Sequence, residues 1–301
     1  MTRYARIALI LIVSILPPPA LAKLNVFACE PEWAALAEAV GGSEVNAYAA
    51  TTALQDPHRI EARPSLIAKL RRADLLICSG AELEVGWLPM LLRQAGNKRV
   101  QPGQPGYLEA AAQVERLDVG VAADRALGDI HTRGNPHVHL DPRRLARIAE
   151  VLASRMAQLD AANADHYRAT HDAFAQRWQD AIDIWQTRAA PLQGVRVVVH
   201  HKDWRYLFDW LGLVEAGTLE PKPGLPPGAG HLSKLKAQLD ATPARMVIHA
   251  AYQDGRPARW LSQKAGIPAV KLPYTVGGSK RAHDLFTLYD DTLERLLTAL
   301  Q

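Results

Sequence analysis

Residues 143–188 contain neither glycine nor proline, and apolar residues recur through them at helical spacing. A span of this length exceeds the usual length of a globular helix. It therefore predicts either one long helix or two helices with a break near Asp160 to Asn163. On both sides of this span, short apolar segments alternate with helical patterns instead. The span therefore also predicts a helical link between two lobes.

Short apolar segments alternate with helical patterns on each side of this link. LNVFAC, EVNAYAA and ADLLIC are predicted strands before it, and VRVVVHH, RMVIHA and PAVKLP are predicted strands after it. This alternation is typical of parallel sheets covered by helices. The predicted fold class is therefore α/β, with a parallel-type sheet flanked by helices in each lobe. The predicted boundaries are 23–141 for the N-terminal lobe, 142–190 for the linking helix and 191–301 for the C-terminal lobe.

The first 22 residues have the pattern of a secretory signal peptide. Arg3 and Arg6 precede an apolar run from Ile7 to Leu16, and Ala20-Leu21-Ala22 follows as an A-x-A cleavage site. The run has about half of the roughly 20 apolar residues that a membrane-spanning helix needs. We therefore expect export to the periplasm, a mature chain that begins near Lys23, and no membrane span.

The charge of the mature chain excludes one class of partner. Removal of Arg3 and Arg6 with the signal peptide lowers the formal net charge from +4 to +2, because no other charged residue lies in positions 1–22. A charge this small gives no electrostatic basis for nucleic-acid binding.

The two cysteines, Cys29 and Cys78, each end a predicted strand. Export makes a disulfide possible, and neighbouring parallel strands would bring the two residues within bridging range. Two buried thiols are the alternative, and the sequence leaves both open. A zinc site built on cysteine is disfavoured, since no C-x-x-C spacing occurs.

Histidines of the N-terminal lobe lie in loops that could carry a metal site. Ligands of open α/β sheets bind beyond the carboxyl ends of the strands, and neutral imidazole is a good zinc ligand. His58 follows the second strand in the loop QDPH. His137 and His139, in GNPHVHLDP, share a face if that segment is extended, but we favour one as a ligand and the other as a packing neighbour. His131 is either an alternative donor or an exposed residue.

Two predicted strands of the C-terminal lobe end in histidine. His200 and His201 close VRVVVHH, and strand alternation sends only one of them into a cleft at the strand tip. His249 ends RMVIHA in the same way. The C-terminal lobe therefore offers further donors to a site between the lobes.

The resemblance of this chain to a known family rests on a series of motifs. In order, they are DPH, PSLIAKLRRADLLICSGAELE, NPHVHLDP, VVVHHKDWRYLFDWLGL and GTLEPKPGLPP. In order and spacing they resemble the periplasmic metal-binding proteins of zinc and manganese ABC importers, over nearly the whole mature chain. The resemblance implies two α/β lobes joined by one long rigid helix, with the metal between the lobes. It also implies a solute-binding protein, not an enzyme, that delivers a divalent metal to an ABC permease in the inner membrane.

The resemblance implies metal ligation by His58 from D-P-H, by His137 from N-P-H, and by His201, which has aromatic residues three and five positions later. Three imidazoles favour Zn²⁺ over Mn²⁺, because manganese prefers carboxylate oxygens. Asp56 and Glu84 are candidates to orient the imidazoles. We expect the protein to act as a monomer, since it must dock on a transporter.

Two departures from the family pattern leave the fourth ligand open. His139 stands where many relatives have tryptophan, and the loop LPYTVGGSK lacks the acid that many relatives supply there. The candidates for the fourth position are water, His139, His249, Glu84 and Asp284.

Two other functions compete with metal capture. Three histidines and a water also form a catalytic zinc centre, but the sequence has no H-E-x-x-H motif. A binding protein for a metal chelate, such as a siderophore or corrinoid, would use aromatic and cationic side chains like Trp204, Trp210 and Arg205. Such a protein needs a wider cleft and no convergent histidines.

Overall fold

The computed structural model describes residues 22–120 and 131–301; residues 1–21 of the predicted signal peptide therefore lie outside the described part. The first lobe contains a parallel sheet of four strands in the order β2-β1-β3-β4. The strands are β1 (Leu24–Ala28), β2 (Val45–Ala49), β3 (Leu75–Cys78) and β4 (Tyr107–Glu109). The flanking helices are α1 (Pro31–Gly41), α2 (Pro64–Arg71) and α3 (Leu88–Ala95). Each begins with a proline at one of its first two positions, where the missing N–H breaks no helical hydrogen bond.

The second lobe repeats this arrangement with a parallel sheet in the order β6-β5-β7-β8. Its strands are β5 (Arg196–Val199), β6 (Val214–Thr218), β7 (Met246–Ala250) and β8 (Ala269–Leu272). Its helices are α6 (Arg205–Leu211), α7 (Ala229–Ala241), α8 (Arg256–Ala265) and α9 (Leu285–Thr298). The α/β fold class predicted from the sequence is confirmed.

Two helices form the link between the lobes. They are α4 (Pro142–Leu159) and α5 (Ala164–Ala189), with the break at Asp160–Asn163, so the second of the two predicted alternatives is observed. Helix α5, with 26 residues, packs on α1 of the first lobe and on α9 of the second. Trp185 of α5 stacks on Tyr289 of α9 with ring centres 4.9 Å apart. Of the two linking helices, α5 is therefore the longer one, and it contacts both lobes.

Cys29 and Cys78 form a disulfide, which is the first of the two alternatives left open by the sequence. Cys29 directly follows strand β1, and Cys78 is the last residue of the adjacent strand β3. Their Cα atoms lie 4.8 Å apart. Both residues are buried. The bridge ties together the carboxyl ends of two strands beneath the loops of the first lobe.

The strands β4 and β6 were not predicted. Strand β4 has three residues in a region rich in glycine and proline, and β6 has the sequence VEAGT, with a glycine and little apolar character. Both lie at sheet edges, where a strand needs less apolar sequence than in the sheet centre. Within the described ranges, no helix is both long and apolar enough to cross a membrane.

Candidate metal site

The loop after β2 holds His58 in one orientation. The Asp56 carboxylate accepts hydrogen bonds from the His58 main-chain N–H at 3.0 Å and pairs with the ring Nδ1 at 2.7 Å. The Pro57 carbonyl accepts from the Trp87 indole N–H at 2.9 Å. Burial raises the pKa of Asp56, but its bonds with His58 outweigh this, so that the pKa is lowered overall. Asp56 therefore stays ionised and directs the other nitrogen of His58, Nε2, away from the loop.

His137 lies in the turn before α4, with its ring fully buried. Its Nδ1 is 2.7 Å from the hydroxyl of Tyr274, in the loop after β8. Its Nε2 is buried and has no hydrogen-bond partner among the described residues. A buried, unpartnered nitrogen is costly unless a ligand uses it.

His131 lies beside these two residues. Its Nε2 is 3.3 Å from Nε2 of His58, and the two rings stack with centres 5.4 Å apart. One ring nitrogen from each of His58, His131 and His137 lies within 4.8 Å of the other two. The first lobe therefore brings three possible metal donors to one point.

His201 approaches this point from the second lobe. It follows β5, and its Nδ1 is 2.7 Å from a carboxylate oxygen of Glu220. Its ring centre is 5.8 Å from that of His58. We call His58, His131, His137 and His201 the imidazole cluster.

Two rings of the imidazole cluster have strongly lowered pKa values and are neutral near pH 7. Burial lowers the pKa of His137 well below the usual value of 6.5, and the neighbouring imidazoles of His58 and His131 lower it further. Burial, together with His58 and His201, lowers the pKa of His131 to about 3. Neutral imidazoles have the lone pairs that a transition metal needs, so these residues fit a divalent metal without first losing a proton.

The side chains considered for the fourth position are engaged elsewhere. His139 faces away from the cluster, with Nε2 3.2 Å from the Tyr274 carbonyl and Nδ1 3.2 Å from Glu32. Glu84 accepts from the Gly80 N–H, and Asp284 caps helix α9. The Nδ1 of His249 lies 3.0 Å from a main-chain oxygen. Among the described residues, His131, and none of these four, forms a possible metal-holding group with His58 and His137.

The arrangement also corrects one predicted orienting residue. Asp56 holds His58 as expected, but Glu84 is buried beside Glu30, where burial raises the pKa of Glu84 to about 7. Its oxygens bond to Gly80 and not to an imidazole. The carboxylate that holds His201 is Glu220.

Asp203 is a buried acid near the cluster that sequence reasoning missed. It accepts hydrogen bonds from Tyr252 and Gln253 at 3.2 Å. Burial raises its pKa to about 6, although His201 opposes this. The sequence KDWRY gave no signal for its burial, since an acid two residues after a strand-end histidine is usually exposed.

A family model described as "Zinc-uptake complex component A periplasmic" matches residues 26–301 of this chain. The high-affinity zinc uptake system protein ZnuA of Yersinia pestis is 26% identical over 195 residues, which are 61% of this chain and 61% of that protein. The manganese ABC transporter substrate-binding lipoprotein PsaA of Streptococcus pneumoniae is 21% identical over 87% of this chain and 83% of its own length. The chain thus spans less than two thirds of the Yersinia relative.

Solved structures share the fold. A crystal structure of ZnuA has a TM-score of 0.78 at 21% identity and covers 93% of this chain and 100% of its own. FpvC of Pseudomonas aeruginosa, in complex with Ni²⁺, has a TM-score of 0.75 at 20% identity and covers 93% of this chain and 97% of its own. At these identities the likeness concerns the fold alone.

Proposed function

This chain belongs to the family of periplasmic A components of zinc-uptake complexes, and we propose that it captures Zn²⁺ in the periplasm and delivers it to an ABC permease. The observation that carries the proposal is the convergence of three first-lobe imidazoles, with His201 of the second lobe beside them. The role is binding without turnover.

The geometry suggests an order of events. His58, His131 and His137 are already close together, so an incoming ion meets these three donors first. His201 comes from the second lobe, with its ring centre 5.8 Å from that of His58, and we propose that it joins the ion last, by a movement that brings its nitrogen to the ligand distance of about 2.0–2.1 Å. Helix α5 packs on both lobes, so we expect this movement to be a small shift of loops and lobes and not a wide hinge closure. The reverse shift would loosen the site for release.

Nitrogen donors favour zinc over manganese. The carboxylates that contact the imidazoles, Asp56 and Glu220, pair with Nδ1 atoms on the outer side of the rings. The loop after β8, LPYTVGGSK, carries no acid. Imidazole suits zinc, copper and nickel, whereas manganese prefers oxygen donors. We therefore propose Zn²⁺ as the transported ion, with Mn²⁺ bound more weakly.

A competitive titration tests this proposal. The mature protein is titrated with Zn²⁺ against a chromophoric chelator, together with His58→Ala, His131→Ala, His137→Ala and His201→Ala. His283→Ala is the control, because that side chain is 69% exposed. We expect one ion per chain and a large loss of affinity in each of the four variants but not in the control. Binding that is indifferent to these four substitutions would overturn the proposed site.

Location and assembly are part of the same proposal. We propose cleavage after Ala22, release into the periplasm and action as a monomer that docks on the permease. N-terminal sequencing of the exported protein and light scattering of the purified protein test these points. A retained N-terminus or a stable dimer would contradict them.

A further inference from the structure

The loop after β8 reaches from the second lobe to the first through two consecutive residues. The Tyr274 hydroxyl lies 2.7 Å from Nδ1 of His137, and the Tyr274 carbonyl lies 3.2 Å from Nε2 of His139. The Thr275 hydroxyl donates to a carboxylate oxygen of Glu32 at 2.5 Å. All five residues are buried. The loop therefore fixes its position against the first lobe through polar contacts in a dry environment.

The backbone of this loop has an unusual conformation at the residues that make these contacts. Tyr274 has φ of +69°, a left-handed conformation that a residue with a large side chain rarely adopts. The turn is tight, since a Cβ at Gly278 would lie 1.8 Å from the Pro273 carbonyl oxygen. A disfavoured conformation persists only where its surroundings impose it. Here, the hydrogen bond from the Gly278 N–H to the Thr275 carbonyl within the loop and the contacts of Tyr274 and Thr275 with the first lobe surround this conformation.

The contact with His137 decides which nitrogen a metal can use. An imidazole that binds through Nε2 carries its proton on Nδ1, and that proton needs an acceptor. Asp56 is in place as the acceptor for His58, and Glu220 for His201. For His137 the group in reach is the Tyr274 hydroxyl oxygen, which belongs to the opposite lobe. The Nε2 atom of His137 is then left for the cluster.

We propose that Tyr274 is a positioning residue of the metal site: its hydroxyl fixes the ring of His137 and can accept the Nδ1 proton when Nε2 binds the metal, and thereby makes the ligand geometry of the first lobe depend on the second. This inference rests on the proposed function. It assigns a role to the loop that lacks an acid: the loop contributes a neutral hydroxyl behind a ligand. Thr275 and Glu32 hold the loop at the distance where the hydroxyl reaches His137.

The test compares two substitutions that each remove one buried tyrosine hydroxyl. Tyr274→Phe removes the partner of His137. Tyr289→Phe removes a donor to the main-chain carbonyl of His139 and leaves His137 untouched. The measurements are the Zn²⁺ affinity by chelator competition, the visible absorption spectrum of the Co²⁺-loaded protein, and the midpoint of thermal unfolding.

We expect Tyr274→Phe to weaken Zn²⁺ binding by about 10- to 100-fold, the range found for partners of metal-bound histidines, and to change the Co²⁺ spectrum. Tyr289→Phe should lower the unfolding midpoint while its affinity stays within about threefold of wild type. Thr275→Val, which keeps the tyrosine, should weaken binding by less than Tyr274→Phe. If Tyr274→Phe does not fold, the Thr275→Val comparison decides, and unchanged affinity there overturns the inference.

The two proposals fail in different ways. Wild-type affinity and an unchanged Co²⁺ spectrum in Tyr274→Phe, with binding still lost in His137→Ala, would overturn the role of Tyr274 and leave the proposed site standing. Zinc binding that survives His137→Ala would overturn the site itself, and with it the role of Tyr274.

Discussion

Two groups of buried or half-buried histidines can be compared in this protein, and they differ in the contacts of their nitrogens. In the imidazole cluster, Nδ1 of His201 is held by Glu220 at 2.7 Å, and the ring lies 5.8 Å from that of His58. Its chain neighbour His200 lies 3.8 Å from the other oxygen of Glu220. With His249 at the tip of β7, His200 forms the second group, which we call the histidine pair. His201 is buried and close to a strand end, as His200 and His249 are, so neither property by itself marks a ligand.

Neutrality does not distinguish the two groups either. Burial lowers the pKa of both His200 and His249, as it does for His131 and His137. What differs is convergence: one ring nitrogen from each of His58, His131 and His137 lies within 4.8 Å of the other two, and the rings of His137 and His201 each lie 5.8 Å from that of His58. A candidate metal site thus needs several ring nitrogens at one point as well as neutral rings.

The largest expected effect that separates the groups is on zinc affinity in His201→Ala. Loss of the second-lobe donor should weaken Zn²⁺ binding by about 100-fold or more, beyond the effect of losing an orienting partner. Chelator competition at fixed pH measures this. An affinity within about threefold of wild type would show that the first lobe binds zinc without His201.

A smaller loss is expected when only the anchor of His201 is changed. Glu220→Gln keeps the size of the side chain but weakens its hold on Nδ1, and should reduce affinity about 10- to 100-fold. Glu215→Gln is the matched control, because Glu215 is an exposed acid on the nearby strand β6. Equal affinities in the two variants would contradict a role for Glu220 in orienting His201.

The imidazole cluster should also make the metal-free protein sensitive to acid. His131 has a pKa of about 3 in the folded state, against an ordinary value of 6.5. Between these values the unfolded chain binds a proton that the folded chain does not, so the free energy of unfolding falls as the pH falls from about 6.5 to about 3. His131→Gln should flatten this dependence. Denaturant unfolding at several pH values measures it, and parallel curves for the two proteins would contradict the prediction.

The smallest effects are expected at the histidine pair. His200→Ala and His249→Ala should leave zinc affinity within about threefold of wild type, since Nε2 of His200 lies 3.8 Å from Glu220 and Nδ1 of His249 contacts a main-chain oxygen. Some loss of stability is expected from shortening a buried side chain. A loss of zinc affinity comparable to that of His201→Ala would remove the distinction between the two groups.

The sequence predicted the lobes, the helical link and most strands, because apolar periodicity and helix-breaking residues are local signals. The family resemblance predicted His58, His137 and His201 as ligands, and in the structure the rings of His137 and His201 each lie 5.8 Å from that of His58. The sequence left His131 undecided, since a histidine in a loop has no periodic context that fixes its direction. Tyr274 and Glu220 contact histidines that lie far from them in sequence. Their roles depend on how the loops pack against each other, and local sequence patterns do not predict that packing.

The loop that carries His58 has a thermodynamic consequence. Asp56 and the Trp87 indole hold it at both the side chain and the main chain. The rotational freedom that a flexible histidine would lose on binding an ion has therefore already been lost during folding, and preorganisation of this kind favours affinity. In the first lobe, the rate of capture should then depend on the arrival and dehydration of the ion and not on a search among side-chain conformations.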